Sequence, residues 1–177
     1  DTSRELKASL NNTCQAEQIV CSDEGKNILY HAPTSTFYVW NGTIWKKDEA
    51  PYAAVYTLVR QHMINQYDKF QKELPSFTKE EMTWKNQVLD YFNRQLNNSN
   101  LDQVVQAMRK NTAIAVDIAK FDSHHDHLCV PNGIVNLRTK ELMPHDKKYM
   151  FTQVAAVEYD PDADTSFIEG FVNNMFP

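Results

Sequence analysis

Leu128-Cys129-Val130-Pro131-Asn132-Gly133-Ile134-Val135-Asn136-Leu137-Arg138-Thr139-Lys140-Glu141-Leu142 holds two turn signals between short apolar runs. Pro131-Asn132-Gly133 is the first, because proline fixes φ and Asn-Gly accepts positive φ. Arg138-Thr139-Lys140 is the second, and it reads as a tight hairpin linking 134–137 to 141–143. Nothing in the stretch has a catalytic pattern. It predicts short β-hairpins in the C-terminal part of the chain.

Upstream, the text changes period. Residues 1–20 are polar with weak helical spacing at Leu6, Leu10 and Cys14, a short helix or a tail. Residues 27–31 are a short strand candidate. Residues 36–40 and 43–47 flank Asn41-Gly42, a strong hairpin signal. With a two-residue loop, Trp40 pairs with Thr43, Val39 with Ile44 and Tyr38 with Trp45. Tyr38, Trp40 and Trp45 then share one face, and Phe37, Val39 and Ile44 the other. Both faces are apolar, so both are expected to be covered.

Helical text follows. Pro51 suits a first turn. Tyr52, Val55, Tyr56, Val59, Met63, Tyr67 and Phe70 recur at steps of three and four, and Pro75 ends the run. Thr78-Lys79-Glu80-Glu81 is a capping box for a second helix with Met82, Leu89, Phe92 and Leu96 inside. Ser99 or Asn100 caps a third through Leu101, Val104, Val105 and Met108. Ile114, Val116 and Ile118 alternate and predict an extended segment or strand. Residues 151–159 predict another strand, closed by Asp160-Pro161. Asp164 or Thr165 caps a final helix with Phe167, Ile168, Phe171, Val172 and Met175. The fold class is therefore α+β: an N-terminal aromatic hairpin, about three central helices, C-terminal short hairpins and a final helix.

Composition narrows the function. The 177 residues carry a net charge of −5, so no global basic field favours nucleic acid. Three scattered cysteines, Cys14, Cys21 and Cys129, predict reduced thiols and a cytosolic protein. No apolar run is long enough to span a membrane. The four glycines, 25, 42, 133 and 170, form no phosphate-cradling loop and no dinucleotide fingerprint. C-x-x-C, H-E-x-x-H and G-x-S-x-G are absent as well. These absences predict a segment with no chemistry of its own and no cofactor. The opening at Asp1 and the stop at Phe176-Pro177 read as a domain cut from something larger.

Two clusters invite a functional reading. Tyr38, Trp40 and Trp45 with Lys46 and Lys47 have the makings of a single-strand stacking platform, since rings stack on bases and lysines meet phosphates. The preferred alternative is a tryptophan hairpin packed on the long helix, with the lysines solvated. Asp122-Ser123-His124-His125-Asp126-His127, with Cys129 nearby, offers metal-ligand types; His125, His127 and Cys129 are the weak candidates. Their spacing is poor, and a polar surface turn is the simpler reading. Asp160-Pro161-Asp162-Ala163-Asp164 opens like a calcium loop, but Thr165 and Phe171 stand where glycine and glutamate belong. The basic pairs Arg109-Lys110, Lys147-Lys148 and Arg138…Lys140 are assigned no specific contact.

A family resemblance gathers these pieces. Phe121-Asp122, then Leu128 to Thr139 with Glu141-Leu142, then Pro144-His145-Asp146, then Val157-Glu158-Tyr159-Asp160-Pro161-Asp162-Ala163, follow the order of a known domain. Phe37-Tyr38-Val39-Trp40-Asn41-Gly42 with Trp45 and Asp48 is similar to that domain's start. The chain resembles the domain preceding the superfamily-3 helicase in phage and plasmid primases, also found in poxvirus helicase-primases. The motif residues are Trp40, Asn41, Gly42, Trp45, Pro131, Asn132, Gly133, Leu137, Arg138, Tyr159, Asp160 and Pro161. The family usually has glycine where Lys140 stands; if the turn needs positive φ there a lysine costs roughly 1 kcal/mol, or else the turn type differs.

The resemblance implies a context. Residues 1–26 form an N-terminal polar segment or tail, 27–164 a connecting domain, and 165–177 the start of a helix toward a missing AAA+ helicase domain of the same chain. ATP and Mg belong to that missing part. The parent protein, a hexamer at full length, unwinds DNA in the cytoplasm at a bacterial or viral-host replication site. The implied role here is non-catalytic, assembling or positioning the ring on DNA. The rival readings are a single-stranded DNA-binding module on the aromatic hairpin and a metal-dependent enzyme on the His124–His127 cluster.

Overall fold

The computed structural model describes residues 11–49, 53–72 and 79–176. Leu6, Leu10, Pro51, Tyr52, Pro75, Thr78 and the side chains of Phe70, Glu80 and Glu81 lie outside the described residues. Within them are five α-helices and two three-stranded antiparallel sheets, a mixed α+β chain. The chain divides into two compact units, one of residues 1–41 and 45–120, the other of 42–44 and 121–177.

In the first unit, α1 (Asn12–Cys21) begins where the Asn11 side chain accepts the Cys14 N–H at 2.9 Å. Gln15, Ala16, Ile19 and Val20 are buried on one side of it, so this stretch is a helix of the core. Strands β1 (Ile28–His31), β2 (Thr36–Trp40) and β3 (Trp45–Lys47) form the first sheet in that order. Helix α2 (Ala53–Lys72) turns Val55, Val59 and Met63 fully inward, as the 3.6-residue period requires. Helix α3 (Lys79–Gln95) buries Val88 and Phe92, and α4 (Asn98–Met108) buries Leu101, Val104, Val105 and Met108.

Three details of this unit depart from the expectations. Met82 is 47% exposed. It stands six residues before Val88, which places it about 120° round the helix from the core side. Asn97, not Ser99 or Asn100, caps α4: its side chain accepts the Ser99 N–H at 3.1 Å. The alternating segment at Ile114–Ile118 is not a strand. Asn111 accepts the Ala113 N–H at 2.9 Å and Asp117 the Ala119 N–H at 3.0 Å, closing two tight 3-10 turns. What remains is one parallel bridge between Tyr30 and Ala115.

The second unit is built on β4 (His127–Val130), β5 (Gly133–Asn136) and β6 (Leu142–Met143). Val130 pairs with Gly133, so Pro131-Asn132 is a two-residue turn. Positive φ falls on Gly133 (+156°) and not on Asn132. A Cβ at Gly133 would stand 2.4 Å from the Met143 carbonyl oxygen, so close approach also demands glycine there. Strand β5 ends at Asn136, one residue earlier than expected. The Asn136 side chain accepts the N–H groups of Arg138 and Thr139, while the Leu137 N–H turns to the Asp126 carbonyl at 2.8 Å. Lys140 takes φ +61°, so of the two alternatives for this turn the lysine holds the left-handed conformation that glycine adopts without strain.

Cys129, Ile134 and Phe151 form the second core, with Ile44, Met143 and Tyr149 packed against them. Residues 151–159 are not a strand. Their bonds alternate between backbone and side chains: Thr152 N–H to Asp122, Ala155 N–H to the Cys129 carbonyl at 2.8 Å, and Tyr159 to Asn132. A ladder needs backbone partners at each step, and two of these three anchors are side chains. Helix α5 (Ser166–Met175) follows, its first turn held by Asp164, which accepts the Ser166 N–H at 2.9 Å. None of its residues is buried, and Phe167 is 84% exposed.

Candidate functional site

The aromatic hairpin closes with a four-residue loop, not two. Trp40 pairs with Trp45, Val39 with Lys46 and Tyr38 with Lys47. The reason lies in Ile44, which joins the second core and takes residues 42–44 out of the ladder. The slip is an even number of residues, so Tyr38, Trp40 and Trp45 still share one face. The rings of Trp40 and Trp45 sit 5.8 Å apart. Trp45 is only 3% exposed, Trp40 is half-buried, and Lys46 and Lys47 are exposed. Phe37, on the other face, is fully buried in the first core. A cleft of about 320 Å³ lies beside the lysines, lined by Val39, Asn41, Asp48 and Ala54 among others.

Asp48 takes a part that residue patterns do not announce. Its two carboxylate oxygens accept the N–H groups of Ala54 and Val55, each at 3.0 Å, and its own N–H donates to the Phe37 carbonyl at 2.9 Å. One side chain thus ties the first sheet to the start of α2.

The histidine segment does not converge. His125 is exposed in the turn before β4. The His124 and His127 rings lie edge-on to each other, 6.1 Å between centroids, and both contact the Tyr149 ring, at 5.3 and 4.9 Å. Cys129 turns elsewhere: its Sγ lies 3.8 Å from His145 Nδ1 and 3.9 Å from the Thr43 carbonyl. His145 Nε2 donates to the Pro131 carbonyl at 3.2 Å, which leaves Nδ1 as the acceptor facing the thiol. Burial pushes the Cys129 thiol pKa up, the opposite of an activated nucleophile. Among the described residues, no group of three or more His, Cys, Asp or Glu side chains is placed to hold a metal. A cleft of about 390 Å³ runs past Asp122, His124, His127 and Phe151, but Asp122 is committed to the Thr152 hydroxyl and N–H.

The family-motif residues of the second unit hold turns. Asn132 exchanges two hydrogen bonds with the Tyr159 backbone, at 2.9 and 3.0 Å, and the Tyr159 hydroxyl donates to the Lys140 carbonyl at 3.1 Å. Arg138, assigned no contact from sequence, pairs with Asp126 at 2.9 Å, and this holds the Asp126 carboxyl pKa below its usual value. Both groups are exposed, so the pair adds little stability. Asp160 accepts the Asp162 N–H at 2.9 Å and closes a local turn. Asn132, Tyr159 and Arg138 would be invisible to a search for catalytic patterns; their signal is the spacing of the motif itself.

Such a chain is a two-unit α+β module whose distinctive residues serve caps, turns and brackets. It matches the family described as D5 N terminal like over residues 17–177, and it belongs to that family. The match begins inside α1. The family's domain is the non-catalytic N-terminal domain of phage-, plasmid- and poxvirus-type primase–helicase proteins. No curated protein matches the chain. No helix among the described residues is long and apolar enough to cross a membrane.

Proposed function

We propose that this chain is the connecting domain of a phage- or plasmid-type DNA primase–helicase, and that it helps to assemble or position an ATP-dependent replicative helicase on DNA. The observation that carries this reading is the family match over 17–177, in which the motif residues Asn132, Gly133 and Tyr159 serve structure. The partner is a superfamily-3 AAA+ domain downstream in the same polypeptide. That domain supplies the ATP and Mg site, the hexameric ring and most of the DNA contact, in the cytoplasm where the element replicates. Helix α5, apolar and exposed, supports this reading as a surface such a domain would cover.

The test uses the longer gene product. Removing 17–177 should leave ATP hydrolysis measurable and lower strand unwinding, while the 177-residue chain alone hydrolyses no ATP and makes no primer. ATPase or primer synthesis by the short chain would overturn the reading, as would a longer product without a phosphate-binding loop.

A second reading has one observation in its favour: Lys46 and Lys47 stand exposed on β3 beside half-buried Trp40. Single-stranded DNA contact there would rest on the two lysines and the rim of Trp40, with Trp45 as the packing partner. Fluorescence anisotropy with an oligonucleotide at two salt concentrations decides it. Binding that weakens with salt and with Lys46→Ala/Lys47→Ala supports the contact, and no binding at low salt removes it.

A further inference from the structure

Tyr159 joins two turns that lie at opposite ends of β5. Its N–H donates to Asn132 Oδ1 at 3.0 Å and its carbonyl accepts from Asn132 Nδ2 at 2.9 Å, so the asparagine amide stands in for a strand partner. Its hydroxyl crosses to the second turn and donates to the Lys140 carbonyl at 3.1 Å. Asn132 belongs to the turn before β5 and Lys140 to the turn after it.

Lys140 is the strained member. It holds φ +61°, with its N–H bonded to the Asn136 carbonyl at 2.7 Å and its carbonyl held by the tyrosine. A lysine reaches this conformation at some cost, so external bonds decide whether it stays there. Tyr159 is also a terminus of another kind. Among the described residues it is the last whose hydrogen bonds reach back to the second sheet. The bonds beyond it are local: Asp160 with Asp162 and Ala163, Asp164 with Ser166, Thr165 with Glu169.

We propose that Asn132, Tyr159 and Lys140 form a latch that fixes where residues 160–176 leave the second sheet and couples that exit to the state of the Lys140 turn. With the latch closed, the turn is held left-handed and the exit segment is anchored at the first turn. When Lys140 leaves φ +61°, its carbonyl swings away and the tyrosine loses one of its two anchors. A pull on 160–176 acts through the same hydroxyl in the opposite direction. The coupling is therefore reciprocal, as any linkage between two sites must be. The latch uses only residues of this chain and goes beyond the primase–helicase reading without depending on it.

Hydrogen exchange on the 177-residue chain tests it, read peptide by peptide. Tyr159→Phe removes one hydroxyl and leaves the ring. It should raise exchange about tenfold, the worth of one hydrogen bond, in 137–142 and 155–165 together, and leave β4, β5 and the first unit unchanged. Asn132→Ala should produce the same paired response from the other end. Lys140→Gly relieves the strain and should reduce the effect of Tyr159→Phe on 137–142. A rise confined to 155–165, or no rise in either peptide, would overturn the latch. A uniform rise across 121–176 would also overturn it, because Tyr159 would then be an ordinary packing residue.

Discussion

The carboxylate of Asp48 accepts the backbone N–H of Val55 at 3.0 Å, with the neighbouring N–H of Ala54 on its other oxygen at the same distance. The first turn of a helix has unpaired N–H groups and a partial positive charge, and a carboxylate answers both. Asp48 does so from outside the helix, at the end of the first sheet. Asp48→Ala should lower the stability of the first unit by about 1–2 kcal/mol, and Asp48→Asn by less. Urea unfolding followed by far-ultraviolet circular dichroism checks both.

Gly133 meets two demands, φ +156° and a carbonyl oxygen where a Cβ would stand. Gly133→Ala should destabilise the second unit by about 2 kcal/mol or more, since β5 and β6 must part to admit the methyl. Lys140→Gly should act the other way and stabilise by about 1 kcal/mol. Thermal unfolding of the two variants against the parent chain gives the signs directly.

His62 on α2 has a buried Nε2 with no hydrogen-bond partner among the described residues, and burial lowers its pKa below 6.5 against a smaller opposing pull from Glu24. The folded state thus prefers the neutral ring, while the unfolded chain takes up a proton near 6.5. This contribution to stability is fully present above pH 6.5 and is lost as pH falls toward the lowered folded value. His62→Leu should flatten that part of the stability–pH curve, which denaturant midpoints at pH 7.5 and 5.5, on the two sides of about 6.5, would reveal.

The three cysteines should separate by reactivity. Cys21 is exposed, Cys14 half-exposed and Cys129 only 2% exposed, with its thiol pKa raised by burial. A thiol-reactive chromophore should label Cys21 fastest, Cys14 more slowly and Cys129 only after denaturation. Fast labelling of Cys129 in the native chain would contradict its place in the second core.

Legibility followed the range of the interactions. The Val55–Val59–Met63 stripe of α2 was readable because the period of a helix is a local property, and the same holds for Leu101, Val104, Val105 and Met108 in α4. The pairing of Trp40 with Trp45 was not, because Ile44 had a choice between the ladder and a core elsewhere in the chain. Residues 151–159 read as a strand because their composition suits one. Their partners Asp122 and Asn132 are side chains, which no alternation rule reports. The candidate sites follow the same division. His125, His127 and Cys129 are neighbours in sequence, yet the thiol faces His145, 16 positions away.

The sequence by itself determined the α+β class, the helical stripes, the turn at Pro131-Asn132 and the family. Each of these depends on the backbone preferences of a few adjacent residues, or on the order of motifs along the chain. Only the tertiary structure decided which partners those motifs have: Asp48 on the first turn of α2, Asn132 on the backbone of Tyr159, and the Tyr159 hydroxyl on Lys140. Those bonds join positions up to 27 residues apart. A hydrogen bond depends on where two atoms meet, and that is fixed only when every element between them has found its place.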